Sequence, residues 1–542
     1  MALIVGATFL VYGPALRNGF VWDDTALVLR DPLIRSWRLI PEAFGHFLFL
    51  DATASDFYRP MQRLTFTADY ALHGFGAPWG WHLTSIALHA AAAVALYFLA
   101  RKFLSNGEAL AVALVWAVHP LHTSAVTYVA GRADLLAALF GFSALALALR
   151  ERMWPAVLCF FAALLSKESG IGALLVWMLL LAWRRAGWKI AARWIALSVL
   201  MLGGYFALRL SAEHTPPPPS APAALADRPI LAARALAEYA GLVILPRTLR
   251  MERDVREREW LTWPGVLLLL GFAAWWWRVP RAAPMLAAFA LAYLPISNLF
   301  SLNATVAEHW LYVPAAFLFL AVALSVRPSW GMRAVLAGWF AFLGVRTFLR
   351  QADWRDQRTF LTRTIADGGD TARMQMNLGN VEWQDGHADL AVAHYREALR
   401  RAPEQAMAWM ALANVSVGAR DFATAREALG HAEKSALLAP DILKTRAALE
   451  YLETGRDSGE LLRQAVALAP KDWPIRRRHL EHLDETGRTA EAARELRDFL
   501  SAQSFRAESW ALLSRLLGKL GHGDAAAAAW REAQRRDVRL TR

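Results

Sequence analysis

Cysteine is almost absent from this sequence: among 542 residues there is one, Cys159, and it lies inside an apolar segment. An intrachain disulfide is therefore excluded, and cysteine usage gives no indication of the redox compartment. Charged residues are also few, at 20%, whereas 56% of the residues are hydrophobic. The chain is too long to fold around a single hydrophobic core, and its hydrophobic content is too high for an ordinary soluble protein. The composition therefore predicts a membrane protein.

The N-terminal stretch MALIVGATFLVYGPAL has neither a basic start nor a small-residue cleavage site, so we expect an uncleaved first helix. A transmembrane helix needs about 20 mostly apolar residues. Segments of this kind recur as far as residue 349 and predict eleven spans. The predicted spans are residues 2–17, 82–100, 107–126, 133–149, 153–165, 170–183, 191–210, 262–277, 282–300, 309–326 and 333–349.

Much of the net charge of +12 lies in short basic clusters between the spans. Basic residues in such positions orient a chain in the membrane, so the net charge does not indicate nucleic-acid binding. These clusters are Arg101 with Lys102, Arg150 with Arg152, Arg184 with Arg185, Lys189 and Arg193, Arg278 with Arg281, and Arg327 with Arg333. The positive-inside rule makes their side cytoplasmic. The loop of residues 18–81, the HPLHTSAVTYVAGRAD turn, the Lys167-Glu168 turn, the prolines at residues 216–219 and the C-terminal region then face outward.

Residues 229–246 are apolar but contain Arg234 and Glu238 at i, i+4 spacing. We expect an amphipathic helix on the outer surface. A further span here would move every later loop to the opposite side of the membrane, which would place the later basic clusters outside the cytoplasm. The arginine-rich and alanine-rich composition indicates a bacterial protein. The membrane would then be the inner membrane and the outer side the periplasm.

The two predicted spans that flank the turn SKESG are short, reaching only about 20 Å at 1.5 Å per residue. Because the bilayer core is about 30 Å thick, Lys167 and Glu168 should lie below the outer surface. Ionisable groups at that depth either form a structural ion pair or line a polar cavity.

A helical repeat begins near residue 371. The residues that fit the spacing of a 34-residue tetratricopeptide unit are Asn377, Leu378, Gly379, Gly386, Ala391, Tyr395, Ala398 and Pro403. We expect four or five units in residues 371–542, a linker at 351–370 and a membrane domain at 1–350. Such solenoids bind extended polypeptide, so this half predicts a protein or peptide partner.

The outward loops carry the polar candidates. An acidic pair, Asp23 and Asp24, follows the first span, and the other candidates are Tyr58, Arg59, His119, His122, Arg132, Asp134, Lys167, Glu168, Glu308, His309 and Tyr312. A carboxylate can act as general base toward a hydroxyl, while arginine and lysine neutralise charge on a phosphate leaving group. Together they suit inverting transfer of a sugar from a lipid phosphate.

Each candidate also has a structural interpretation. The acidic pair could be a solvated loop pair, and Asp134 could cap its helix. His119 and His122 could be hydrogen-bonded caps. Their i, i+3 spacing lacks the HExxH pattern, so no zinc site is predicted.

The ordered motifs VWDD, YRP, WGWHLTSIALHA, HPLHTSAV with GRADLL, KESG and AEHWLYVP, followed by tetratricopeptide repeats, resemble the transmembrane and tetratricopeptide-repeat-containing protein family. Its members are protein O-mannosyltransferases with a GT-C membrane fold. The resemblance implies an all-α protein, a polyprenyl-phosphate sugar donor, catalytic acidic residues in the first outward loop and acceptor binding by the repeats.

The resemblance also implies roles for individual residues. Asp23 or Asp24 would be the base, with Asp23 preferred as the leading aspartate, and Arg59, Arg132 and Lys167 would bind the donor phosphate. Glu308, His309 and Tyr312 would close the cavity, although the animal members tend to have arginine where this chain has His309. No cofactor is required by this scheme, while the acidic pair leaves a divalent cation possible.

Two non-enzyme functions remain open on sequence grounds. A membrane-anchored repeat scaffold for envelope proteins would explain the solenoid but not the polar residues in the outward turns. A lipid or polysaccharide transporter would need ionisable groups near mid-span, where they are scarce. Neither the sugar nor the acceptor is specified by the sequence.

Overall fold

The computed structural model describes residues 1–50, 55–214, 225–251, 253–300, 302 and 304–541. The prolines at residues 216–219 lie outside the described residues. Within the described ranges the regular structure is helical, and β-structure is limited to two isolated bridges. The predicted all-α fold is therefore confirmed.

The chain divides into two compact units. The first contains Met1–Leu29, Ala43–Leu50 and the chain up to Phe360, and the second contains Arg30–Glu42 and the chain from Leu361. The domain limits given above, at residues 350 and 371, stay a prediction.

The first unit holds the apolar helices. Their bounds, with those of the short helices between them, are α1 Ala2–Tyr12, α2 Ile40–Gly45, α3 Pro60–His73, α4 Pro78–Ala100, α5 Asn106–Val118, α6 Thr123–Val126, α7 Arg132–Ala148, α8 Met153–Ser166, α9 Ile171–Trp183, α10 Trp188–Ser211, α11 Arg228–Ile244, α12 Thr262–Arg278, α13 Ala283–Tyr293, α14 Tyr312–Ser325 and α15 Trp330–Arg350.

Every segment predicted as a span is helical over most of its length, with an interruption at His119 and with residues 297–300 outside the helix that precedes them. In the described ranges, six helical segments are long and apolar enough to cross a bilayer, and α5 with α6 adds a seventh if this pair, bent by 49°, is one span. The other four predicted spans form the shorter apolar helical segments Ala2–Arg17, Met153–Ser166, Glu168–Trp183 and Ala283–Ile296.

Burial differs sharply among these helices. The apolar part of α7 is 83% buried, whereas the apolar parts of α12 and α15 are each 11% buried. Large side chains such as Trp263 on α12, 74% exposed, and Val335 on α15, 72% exposed, point away from the protein. Apolar surface of this extent is unfavourable in water. The exposed apolar faces of α12 and α15 are therefore suited to lipid, and the protein is a membrane protein.

Helix α11 packs closely on α12. A Cβ atom at Gly265 would lie 1.9 Å from the carbonyl oxygen of Ala233, so this crossing requires glycine. Tyr239 of α11 is also buried. The predicted location of α11 on the outer surface stays a prediction.

The loop of residues 18–81 contains more regular structure than its polar sequence indicated. Helix α3 occupies part of it and α4 begins at Pro78, four residues before the predicted span. Proline is favoured in the first turn of a helix, and Pro60 and Pro78 both take this position. Gly74, with φ 64°, ends α3. The helix was missed because its one buried face is short and lies among polar residues.

The second unit is a succession of antiparallel helix pairs. After α16 Gln357–Ala366, which crosses the boundary between the units, the helices are α17 Ala372–Gln384, α18 Ala388–Arg401, α19 Ala406–Gly418, α20 Phe422–Ala432, α21 Ala439–Thr454, α22 Gly459–Leu468, α23 Trp473–Glu485, α24 Thr489–Ala502, α25 Ala507–Lys519 and α26 Gly523–Arg536. Residues 372–536 thus form five pairs, consistent with four or five repeat units.

A piece of the loop of residues 18–81, Arg30–Glu42, belongs to this second unit. Arg35 Nη1 lies 3.2 Å from Glu508 Oε1, and the Val538 N–H donates to the Arg35 carbonyl at 3.1 Å. The Ser36 hydroxyl donates to the carbonyl of Arg535 at 2.9 Å. Residues 30–42 are therefore fixed to the last helix pair.

Candidate active site

The acidic pair lies in a tight turn after α1. Trp22 has φ 55°, which is uncommon for a residue other than glycine and indicates local strain. Its N–H donates to Gln357 Oε1 at 2.5 Å, and its ring packs edge-on against Phe360. These two contacts hold the strained turn and set the directions of the carboxylates that follow.

Asp24 is fully buried and is bound by backbone. Its Oδ2 accepts the N–H of Val21 at 3.1 Å, and its Oδ1 accepts the N–H of Ala130 at 2.7 Å. Burial raises the pKa of Asp24 to about 7, with a smaller contribution from the neighbouring charge of Asp23, while the backbone donors act in the opposite direction. Asp24 therefore joins two loops.

Asp23 is only partly buried. Its N–H donates to the Tyr128 hydroxyl at 3.2 Å, and that hydroxyl also hydrogen-bonds the Asp23 side chain. The two members of the pair thus differ: Asp24 is enclosed, whereas Asp23 retains access and is oriented by a phenol. Tyr128 was not identified from the sequence, although it lies inside the HPLHTSAVTYVAGRAD turn.

A short path connects the acidic pair to Arg59. The carbonyl of Ala130, whose N–H binds Asp24, accepts from Gln62 Nε2 at 2.7 Å. Gln62 lies one helical turn after Arg59, the residue preceding α3. Arg59 donates from Nε and Nη2 to Glu168 Oε2 at 3.0 and 2.9 Å. The VWDD and YRP motifs and the KESG turn therefore share one network.

Glu168 also fixes the backbone next to Arg59. Its Oε1 accepts the N–H of Tyr58 at 3.2 Å, and the buried Tyr58 hydroxyl donates to the carbonyl of Phe44. Arg209 lies 3.8 Å from the same carboxylate. Glu168 therefore pairs with arginines distant in sequence rather than with Lys167.

Lys167 has a separate acidic partner. Its Nζ lies 2.6 Å from Asp134 Oδ1 on α7. His309 is near enough to feel the charges of Asp134, Lys167 and Arg59, so the AEHWLYVP segment lies near the same cluster. The close turn depends on Gly170, because a Cβ there would lie 2.3 Å from the carbonyl of Ala163. The side chains of Lys167 and Arg59 are 14% and 15% exposed, which leaves both accessible.

Arg132 is different from these two cations. It is completely buried, its Nη1 lies 2.6 Å from Asp69 Oδ2, and its Nη2 donates to the carbonyl of Trp81 at 2.9 Å. Its guanidinium also lies over the ring of Phe66. These contacts tie α7 to α3 and α4. Asp69 was not identified from the sequence.

The remaining predicted site residues lie in the interior. His119 caps its own turn by accepting the N–H of Leu121, and its Nε2 lies 3.0 Å from the carbonyl of Val243. His122 is buried between the rings of Trp116 and Tyr312. The Tyr312 hydroxyl lies 2.6 Å from His89 Nδ1.

Glu308 is surrounded by arginines. Its Oε1 lies 3.2 Å from Arg253 Nη2 and accepts the N–H of Arg250, and its Oε2 lies 3.6 Å from Arg350. Glu308 thus holds two segments beside the turn that carries His309. One is the loop before α12, which contains Arg250 and Arg253, and the other is the end of α15 at Arg350. Among the described residues, no group of three His, Cys, Asp or Glu side chains has a metal-binding arrangement.

Comparisons with known proteins agree with the motifs. Residues 342–406 and 376–436 match the tetratricopeptide repeat family. Protein O-mannosyl-transferase TMTC1 of Mus musculus is 36% identical over 145 residues, which are 26% of this chain and 15% of that protein. Protein O-mannosyl-transferase TMTC3 of Homo sapiens is 25% identical over 477 residues, 76% of this chain and 52% of that protein.

Protein O-mannosyl-transferase TMTC4 of Mus musculus is 24% identical over 484 residues, which are 73% of this chain and 65% of that protein. The chain therefore covers less than two thirds of each of these relatives. The resemblance drawn from the motifs is confirmed: over most of its length, this repeat-containing membrane protein is similar to the TMTC protein O-mannosyl-transferases.

Proposed function

We propose that the protein is a membrane glycosyltransferase that moves one sugar from a polyprenyl phosphate to a hydroxyl group of a protein outside the cytoplasm. The sugar is mannose, by analogy with the names of the relatives. The observation that carries the proposal is the division within the acidic pair: Asp24 is enclosed and binds backbone, whereas Asp23 is partly exposed and oriented by Tyr128.

In the proposed step the Asp23 carboxylate accepts the proton of the acceptor hydroxyl. The hydroxyl oxygen then forms a bond to the anomeric carbon, and the bond between that carbon and the phosphate oxygen breaks. The electron pair leaves with the polyprenyl phosphate. Because attack and departure occur on opposite faces of the sugar, the configuration inverts.

Lys167 and Arg59 are the proposed cations for the phosphate. Both keep some exposure, and with Arg209 they form a group of three cations around two carboxylates, Glu168 and Asp134. This excess of positive charge favours an anion that gains charge as the bond breaks. Arg132, which is enclosed with Asp69, is assigned to positioning α7 and not to phosphate contact.

The remaining elements complete the proposal. The tetratricopeptide repeats bind the acceptor protein, since repeats of this type bind extended polypeptide. The proposed step uses no metal ion. The protein lies in a bacterial inner membrane with the acidic pair on the periplasmic side.

Mass spectrometry of envelope proteins from cells with and without this protein tests the proposal. We expect peptides that carry a hexose in the first sample and lack it in the second. Purified protein in nanodiscs, given a polyprenyl-phosphate-linked mannose and such a peptide, should restore the modification. Identical glycosylation in the two samples would contradict the proposal and favour a scaffold.

A further inference from the structure

A groove of about 640 Å³ runs along the last two helix pairs of the second unit. It is lined by residues of α24, α25 and α26, so it belongs to one compact body. Its floor is apolar and includes Leu500, Leu513, Leu517 and the partly exposed Trp510.

The groove exists because α26 is unusually poor in large side chains. Residues 525–529 are five consecutive alanines, and three of them, at positions 525, 528 and 529, line the groove. A methyl group fills much less space than the leucines and arginines at other positions of these helices. Ala528 is exposed, so the space above it is open.

The groove also carries positive charge. Arg497, Arg531 and Arg535 line it, together with one acidic residue, Glu532. Glu532 forms ion pairs with Arg535 and Arg536. Arg497 and Arg531 are exposed and make no ion pair with any residue of the described ranges. Two uncompensated guanidinium groups therefore border an apolar floor.

We propose that this groove binds an extended acidic segment of the acceptor protein, with one apolar side chain seated on the floor between carboxylates that pair with Arg497 and Arg531. The inference rests on the proposed function for identifying the occupant as the acceptor. A buried apolar anchor supplies most of the affinity of such a contact, and complementary charge at the edge favours acidic over basic sequences.

The chemistry of the groove favours polypeptide over nucleic acid. Single-stranded nucleic acid is bound by a charged track with several aromatic platforms, whereas this groove offers one tryptophan, several aliphatic side chains and a short basic rim. Guanidinium groups form paired hydrogen bonds with carboxylates. A peptide with an aliphatic side chain flanked by glutamate or aspartate matches both the apolar floor and the basic rim of the groove.

Fluorescence anisotropy on the full-length protein in nanodiscs tests the inference. The probe is a labelled peptide with a single leucine among glutamates, and the comparison peptide has lysine in place of each glutamate. We expect the acidic peptide to bind and the lysine peptide to bind at least about tenfold more weakly, a difference of about 1.4 kcal/mol.

Substitutions in the groove distinguish local recognition from overall charge. Arg497→Glu or Arg531→Glu alone should weaken binding at least about tenfold, and so should Ala528→Phe, which fills the groove. Ala528→Ser keeps the space open and should bind like the wild type. Arg515→Glu makes the same charge change at an exposed position of α25 that does not line the groove, and it should also bind like the wild type.

Equal binding of the two peptides, equal loss in Arg515→Glu, or tighter binding of a single-stranded oligonucleotide would overturn the inference. The binding assay needs no sugar transfer. A protein that binds the peptide through the groove but transfers no sugar therefore contradicts the proposed function alone. Sugar transfer with peptide binding that ignores the groove substitutions contradicts the groove alone.

Discussion

The Oδ1 atom of Asp24 accepts a 2.7 Å hydrogen bond from the backbone nitrogen of Ala130, 106 positions away in the chain. This bond joins the turn after α1 to the turn before α7. The carbonyl of Ala130 in turn binds Gln62, which places the start of α3 at the same junction. Asp24 thus organises the loops around Asp23, and the two aspartates have separate roles in the proposed enzyme.

The buried state of Asp24 predicts a pH-dependent stability. Its pKa is about 7 in the folded protein, whereas an aspartate in an unfolded chain has a pKa of about 4. Between these values the folded state binds more protons, so the free energy of unfolding should fall as pH rises from about 4 to about 7, and then level. Asp24→Asn cannot titrate and should show a flatter profile in thermal unfolding of nanodisc samples. An unchanged slope would contradict this assignment.

Tyr128 should act as a positioning residue for Asp23. Tyr128→Phe removes the hydroxyl that contacts both the N–H and the side chain of Asp23. We expect kcat to fall about tenfold with little change in KM, less than the roughly 10²–10⁴-fold contribution of a general base itself, because Tyr128 orients the base and the base remains. The acid limb of the pH–rate profile should move to higher pH, because the carboxylate loses a donor that stabilises its charged form.

A matched control for that change is Tyr293→Phe. Tyr293 is buried in the same unit, and its hydroxyl has no hydrogen-bond partner in the described ranges. It should keep the wild-type profile. If Tyr128→Phe lowers only the melting temperature and leaves the pH–rate profile in place, Tyr128 is structural.

Lys167 should contribute to donor use through its charge. Lys167→Gln leaves Asp134 without the ammonium group 2.6 Å away and removes a proposed phosphate contact. We expect kcat/KM for the lipid-linked donor to fall about a hundredfold, as for the loss of one stabilising group at a leaving oxyanion. Lys167→Arg should retain most of the activity.

The exposed Lys102 provides the control for this substitution, since Lys102→Gln removes the same charge away from the cluster. Its donor kinetics should match those of the wild type. Equal donor kinetics in Lys167→Gln and Lys102→Gln would remove Lys167 from the proposed phosphate site.

The buried pair of Arg132 and Asp69 should matter for stability. Arg132→Leu leaves the Asp69 carboxylate buried without its partner and should lower the free energy of unfolding by about 3–5 kcal/mol. The double substitution of Arg132→Leu with Asp69→Leu should recover much of this loss, because two apolar side chains replace the pair. Chemical unfolding of the three variants in detergent gives the comparison. A double variant less stable than Arg132→Leu would contradict a simple structural pair.

The helices of this protein could be predicted from sequence because their signals are local. Apolar runs located the apolar helices of the first unit, of which six or seven in the described ranges are long enough to cross a bilayer, and the Gly379 and Tyr395 spacing located the first repeat. Helix α3 was missed because its apolar face, around Phe66 and Tyr70, is too short to stand out from a polar loop.

The contacts of the candidate site could be predicted only in part. Asp23, Arg59 and Lys167 could be named as candidates from the sequence because each is a reactive type of side chain in a loop or turn between apolar segments. Tyr128 and Asp69 were missed, since their relevance depends on partners brought close by the fold, such as Asp23 at a separation of 105 positions. At the KESG turn the sequence left open a structural ion pair or a polar cavity, and the structure pairs Lys167 and Glu168 with distant residues, Asp134 and Arg59 respectively.

The initial rate of sugar transfer by Asp23→Asn, measured in nanodiscs with a polyprenyl-phosphate-linked mannose and a modified envelope peptide as acceptor, tests the central claim most directly. The wild type should transfer the sugar, and Asp23→Asn should be at least about a hundredfold slower with the same melting temperature and donor binding. An Asp23→Asn variant that transfers sugar at the wild-type rate would contradict the assignment of Asp23 as the general base.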